Sequence, residues 1–365
     1  MRLLIINSVC GIKSTGRIAL DIAKEYESTG YEVKIAYGRE NVPPEAKKYA
    51  IRIGTEWDVR IHGIKSRLFD AHGLGSKRAT KTFLKWADSF NPDILWLHNI
   101  HGYYINYELL FDWIKSRPEM EVKWTLHDCW AFTGHCAHFI ASGCDKWEEQ
   151  CEDCPSLKEY PKSFLFDNSK DNYKRKQAAF TGVNRLTIIT PSEWLKNCVK
   201  ASFLKDYEVA VKKNEIDMAI FKPTPSNFKS EHGIADKKML LGVASTWSEK
   251  KGLKDFYKLN ELLPDDFVIV LVGLTAKQIS VLPKGMIGIE KTNSKSELAE
   301  IYSAADIFLN LSYEETYPTV NLEAQACGTR VIAYDVGGTK ETLKTSGLLI
   351  SPGNIDRVAA DIYGI

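Results

Sequence analysis

Tyr313-Glu-Glu-Thr-Tyr-Pro-Thr-Val-Asn-Leu-Glu-Ala-Gln-Ala-Cys-Gly328 carries two carboxylates, Glu315 and Glu323, with seven residues between them. The apolar run Asp306–Ser312 ahead of it reads as a buried strand. Pro318 suits the first turn of a helix, and Gly328 suits its end. The segment is therefore strand, loop, carboxylate, helix start, second carboxylate. The free N–H groups of a helix start attract a diphosphate. Carboxylates on either side accept hydrogen bonds from sugar hydroxyls. That order predicts a site for a phosphorylated sugar.

Outward from this stretch, strand-like and helix-like segments alternate. Leu3–Val9, Glu32–Gly38, Asp93–Ile100, Val122–Cys129 and Arg185–Thr190 read as strands, with Gly16–Ser28 and Tyr107–Ser116 as helices. A second series runs through Met239–Ala244, Phe267–Gly273, Asp306–Ser312 and Arg330–Tyr334. Such alternation predicts parallel sheets with helices on both faces. The polar, proline-marked stretch Lys205–Pro225 reads as a linker. The expected fold class is α/β, with two Rossmann-like doubly wound domains, 1–205 and 206–365, facing a cleft. Residues 132–161, rich in Cys, Gly and charge without a clear period, read as an inserted loop.

At 365 residues with 44% hydrophobic and 26% charged side chains, the composition is that of a globular protein. A net charge of +1 excludes the global field of a dedicated nucleic-acid binder, and no nucleic-acid motif is present. No apolar run is long enough to span a bilayer, and no cleavable leader precedes the first strand. The expected location is cytoplasmic, with the eight cysteines as thiols or metal ligands.

Three further clusters sit at predicted strand ends. Cys10-Gly-Ile-Lys-Ser-Thr-Gly16 follows the first strand and opens the first helix. It suits close approach of an anionic ligand, and equally a tight turn that needs small residues. Thr246-Trp-Ser-Glu-Lys250-Lys251-Gly252 sets lysines at a helix start, where they can neutralise phosphate or simply form a solvated face. His98, His101 and His127-Asp128 follow neighbouring strands. Of these, His127 is the candidate for binding or acid–base work, against the alternative of a satisfied structural histidine.

Taken together, these motifs resemble the retaining glycosyltransferases of family 4, which have the two-domain GT-B fold. The family's two spaced glutamates and Ala-Cys-Gly-Thr run stand here as Glu315…Glu323-Ala-Gln-Ala-Cys-Gly-Thr329. Gly337-Gly338-Thr-Lys-Glu341 is similar to its Gly-Gly turn, and Asn214…Asp217 to its linker. The resemblance implies that Glu323 holds the ribose of a UDP- or GDP-sugar and that Glu315 contacts the donor sugar. It also implies that Lys251, with the amides of Thr319 and Val320, binds the diphosphate. Gly16 would line the same ligand from the first domain, and His127 would contact the donor sugar. No cofactor takes part in the family's catalysis.

Two departures stand out. The family's arginine shortly before the lysine is replaced by Ala244-Ser-Thr246, which leaves Lys250 as the substitute. Family members also continue past the position of Ile365, which implies a short form or a truncated chain here. The expected enzyme moves a hexose onto a saccharide or lipid-linked acceptor for surface polysaccharide. The alternatives are a sugar-nucleotide epimerase and a non-catalytic nucleotide-sugar or lipid-binding module.

Cys136, Cys144, Cys151 and Cys154 fall at intervals of seven, six and two residues within the insert. Four thiolates would close a structural zinc site; free thiols and disulfides are the alternatives. Between Arg60 and Lys85, the cations Arg60, Lys65, Arg67, Lys77, Arg78, Lys81 and Lys85 share one acid, Asp70. Phe69, Phe83 and Trp86 are interleaved. This suits a helix lying on an anionic membrane surface, peripheral on the inner face of the cell membrane, or a solvated face backed by core aromatics.

Overall fold

The apolar runs become parallel strands, because strands covered on both faces need unbroken hydrophobic sequence. The computed structural model describes residues 1–363 and divides the chain after Lys212. In the first unit the strands are β1 (Arg2–Ile6), β2 (Glu32–Tyr37), β3 (Ala50–Arg52), β4 (Ile94–Leu97), β5 (Glu121–Thr125), β6 (Leu186–Thr190) and β7 (Glu208–Val211). The helices are α1 (Lys13–Ser28), α2 (Glu56–Phe69), α3 (Lys77–Phe90), α4 (Tyr107–Lys115), α5 (Ser169–Phe180) and α6 (Glu193–Ala201). The strand order is β3-β2-β1-β4-β5-β6-β7. Every pairing is parallel, with Ile5 opposite Ile35 on one side and Trp96 on the other. Along β1, Leu4 and Ile6 enter one core layer while Leu3 and Ile5 enter the other. β7 pairs with β6 and carries this unit past residue 205.

The second unit repeats the plan. Its strands are β8 (Lys238–Val243), β9 (Phe267–Val272), β10 (Met286–Ile289), β11 (Ile307–Asn310), β12 (Arg330–Tyr334) and β13 (Leu348–Ile350). Its helices are α7 (Phe228–Glu231), α8 (Leu253–Leu262), α9 (Ala276–Ile279), α10 (Lys295–Ala304), α11 (Thr319–Ala326) and α12 (Ile355–Tyr363). The order β10-β9-β8-β11-β12-β13 is again wholly parallel. In both sheets the chain builds outward one way, then crosses and builds the other way. The reversal falls between β1 and β4 in the first sheet and between β8 and β11 in the second. Loops at the carboxyl ends of those strands flank a topological switch point, where open α/β sheets bind ligands. No helix among the described residues is long and apolar enough to cross a membrane.

The insert is irregular, as expected, yet it is built into the core. Phe132, Cys136, Phe139, Trp147 and Cys151 are buried in the layer that holds Trp124 and Phe180. Two buried polar groups secure it. Lys176 of α5 donates to the carbonyls of Trp130 (2.7 Å) and Thr133 (2.9 Å). Asp70 accepts from His135 Nδ1 at 2.5 Å and from the Asn168 amide at 3.0 Å.

The four insert cysteines do not form the expected zinc site. Among the described residues no group of three or more His, Cys, Asp or Glu could hold a metal ion. Cys151 Sγ accepts from the Gly134 amide at 3.1 Å. A hydrogen bond from Cys136 brings the Cys154 thiol down to about 7 and pushes Cys136 well up. All eight cysteines are free, so the disulfide alternative falls as well.

Candidate functional site

In the second unit the switch-point loops are those after β8 and β11. Gly252 decides how closely they approach. Its φ is +74°, and a Cβ there would collide with the Leu311 carbonyl oxygen at the end of β11. With no side chain in the way, the Tyr313 amide donates to the Lys250 carbonyl at 2.8 Å. Two lysines then meet two glutamates. Lys250 Nζ lies 3.0 and 2.9 Å from the carboxylate oxygens of Glu314, and Lys251 Nζ lies 2.5 Å from Glu315 Oε1. Glu314 is buried.

Neighbouring groups fix this junction. The phenols of Tyr313 and Tyr334 donate to Asp255 Oδ2 at 2.6 and 2.9 Å, which anchors the β11 loop to α8 and β12. The Gly338 amide, in the Gly-Gly turn after β12, donates to the Glu315 carbonyl at 3.2 Å. Asn310 at the end of β11 donates to Asn321 of α11 (3.0 Å), which donates to Thr342 (2.9 Å).

The helix after the loop starts at Thr319, so Pro318 is its N-cap rather than its first residue. Thr319 and Val320 are half-buried in the first turn, where amides lack an intrahelical acceptor. Glu323 follows one turn later and accepts from the Tyr302 phenol at 3.1 Å. Burial, with the Glu323 carboxylate beside it, holds that phenol well above its ordinary range. Gly328 sits just past the helix with φ +88°, the left-handed conformation that ends helices. The structure thus joins Lys251 to Glu315 directly, pairs Lys250 with Glu314 beside them, and sets Thr319, Val320 and Glu323 on the helix that follows.

In the first unit, Gly16 lies inside α1, and a Cβ there would press on Val9 Cγ2 at 3.0 Å. Its carbonyl accepts from the Gly11 amide at 3.0 Å, so it packs the loop after β1 against the helix. That loop meets the loop after β4 through the Asn99 amide and Asn7 Oδ1, 3.3 Å apart. His127, after β5, stands 3.0 Å from His98 Nδ1 through its Nε2. Asp128 pairs with His101 Nε2 at 3.0 Å. His127 therefore belongs to a packed network rather than standing alone.

These histidines make the first unit acid-sensitive. Burial pushes His62 and His127 down to about 4, opposed at His127 by the charge of Asp128, and pushes His72 and His98 well below 6.5. The folded state keeps the imidazoles neutral while the unfolded chain binds protons. Their contribution is complete above pH 6.5 and is lost as pH falls toward 4. For His62 alone the loss reaches about 2 kcal/mol at pH 5. Every tryptophan except Trp247 lies in the first unit, so urea unfolding followed by tryptophan emission reports on it. The midpoint is expected to fall between pH 7.5 and pH 5; equal midpoints would contradict this.

The family described as "Glycosyl transferases group 1" matches residues 226–363. The chain is 25% identical over 358 residues to the putative colanic acid biosynthesis glycosyl transferase WcaC of Escherichia coli K12, covering 90% of this chain and 82% of that protein. It is 29% identical over 116 residues, about 30% of each chain, to a second protein. That protein is the N,N'-diacetylbacillosaminyl-diphospho-undecaprenol alpha-1,3-N-acetylgalactosaminyltransferase of Campylobacter jejuni. Anabaena Alr3699/HepE, solved in complex with UDP, superposes with a TM-score of 0.67 at 14% identity, over 100% of this chain and 89% of that one. Two parallel-sheet α/β units, a matched C-terminal domain and a relative aligned over nearly the whole chain agree: the chain has the GT-B fold, and its second unit matches the group 1 glycosyl transferases.

Proposed function

We propose that this glycosyltransferase moves a hexose, with retention of configuration, from a UDP- or GDP-sugar to a saccharide on a lipid carrier during synthesis of a bacterial surface polysaccharide. The observation that carries the reading is the junction at the second sheet's switch point, where Lys250–Glu314 and Lys251–Glu315 join two loops just ahead of α11. Glu323 takes the ribose hydroxyls. The diphosphate lies at the start of α11, held by the amides of Thr319 and Val320 and by Lys251, which turns to it from Glu315. Glu315, released, takes hydroxyls of the donor sugar near the transferring carbon. Lys250 stays on Glu314 and keeps the loop in place. As the glycosidic bond breaks, charge grows on the departing diphosphate, and prearranged N–H groups and a cation favour that state over the ground state.

The names of the relatives support the acceptor class: colanic acid synthesis for one, a diphospho-undecaprenol-linked saccharide for the other. The test is a panel of UDP- and GDP-sugars offered with a saccharide on a lipid diphosphate, with the product's anomeric configuration read by NMR. Nucleotide release that depends on acceptor, with the donor's configuration kept, is expected. An inverted product, or no release from any donor, would overturn the proposal.

A further inference from the structure

Helix α2 turns the side chains a globular fold normally hides toward water. Trp57, Ile61 and Ile64 are 68, 64 and 59% exposed. At about 100° per residue they fall, with Leu68, in one stripe about 60° wide. Val59, His62, Gly63 and Ser66 fall on the opposite side and are the residues packed inward. His62 fastens that side: the Gly73 and Gly75 amides donate to its Nε2 at 3.2 and 3.0 Å, and its Nδ1 lies 2.9 Å from Ser76 Oγ. The same wheel sets Arg60 and Arg67 along one edge of the stripe and Lys65 along the other.

A second apolar element lies alongside. Phe164, Leu165 and Phe166 are 64, 65 and 50% exposed. The Phe164 amide donates to the Arg67 carbonyl at 2.7 Å, and Phe166 stacks on Phe69 at 5.7 Å between centroids. Helix α3, which shares the basic stretch, is built the other way. Its Phe83 and Phe90 are buried, and Trp86 stacks on both at 5.9 and 5.3 Å. The expected surface over 60–85 therefore narrows to α2 and the 164–166 loop.

We infer that this face seats on an anionic lipid bilayer, with the Trp57–Ile61–Ile64 stripe and Phe164–Phe166 entering the headgroup boundary and Arg60, Lys65 and Arg67 meeting lipid phosphates. Charge decides the occupant. Cations border an apolar centre on both edges, which complements an anionic interface. A second copy docked two-fold on the same face would bring this cationic rim against itself. The inference names where the proposed lipid-linked acceptor is met; it rests on that reading for its purpose but not for its test.

The experiment is co-sedimentation of the full chain with phosphatidylcholine vesicles, with and without phosphatidylglycerol, beside a UDP titration. Wild type is expected to pellet with the anionic vesicles. Trp57→Ser/Ile61→Ser/Ile64→Ser should lower partitioning about tenfold or more, and Arg60→Gln/Lys65→Gln/Arg67→Gln should lose the preference for anionic lipid. UDP affinity should stay the same in both variants. Wild type left in the supernatant, or an apolar variant that pellets as wild type does, would overturn the inference. A wild-type dimer that the apolar variant dissolves would also overturn it. Absence of UDP binding with intact vesicle binding would instead sink the donor assignment alone.

Discussion

Glu323→Ala is expected to weaken UDP binding about 10- to 100-fold. A hydrogen bond to a charged group contributes about 1.5–3 kcal/mol, and each 1.4 kcal/mol is about tenfold in affinity. The carboxylate has a second job, because it accepts from the Tyr302 phenol. Truncation would leave that fully buried hydroxyl without its acceptor, at a further cost of about 1–3 kcal/mol to stability. Glu323→Gln separates the two effects. The amide oxygen can still accept from Tyr302, so stability should hold while the loss of charge still weakens UDP. Calorimetric titration of both variants checks this. Affinity unchanged in both would remove Glu323 from the donor site.

Gly252→Ala should damage the second unit and the donor site together. A residue with a side chain at φ +74° costs about 1–2 kcal/mol, and its Cβ would meet backbone rather than a flexible side chain. A combined loss of about 3 kcal/mol would lower the melting temperature of a unit this size by roughly 6–12 °C. The loops after β8 and β11 must move apart to make room, which separates Lys251 from Glu315. UDP affinity should therefore fall even at temperatures where the variant is folded. A variant with the wild-type calorimetric transition and affinity would show that the close approach at Leu311 does not position the lysines.

The strands and the proposed donor motif were legible because each proposed site residue follows an apolar run that had to be a buried strand. Glu315, Glu323 and Lys251 are of this kind. Glu314 was not legible: two adjacent glutamates look alike in sequence, and which is buried depends on Tyr313 being anchored to Asp255. The edge strands β3, β7, β10 and β13 were missed because they are short and only partly covered, so their pattern is weak.

Helix α2 reverses the usual pattern of an apolar stripe facing the core. Its inward side is Val59, His62, Gly63 and Ser66, largely small or polar, while Trp57, Ile61 and Ile64 carry the hydrophobic pattern outward. A reading that buries the apolar stripe turns this helix inside out. The Cys-x-x-Cys spacing of the insert suggested zinc, but among the described residues no group of three or more His, Cys, Asp or Glu could hold a metal ion.

The central claim is that the nucleotide sugar sits at the second sheet's switch point. Hydrogen–deuterium exchange of the full chain with and without saturating UDP tests it most directly. Protection on UDP binding is expected in peptides covering 246–254 and 313–326, with little change over α2. Protection confined to other segments, or none at a UDP concentration shown by calorimetry to saturate the protein, would contradict it.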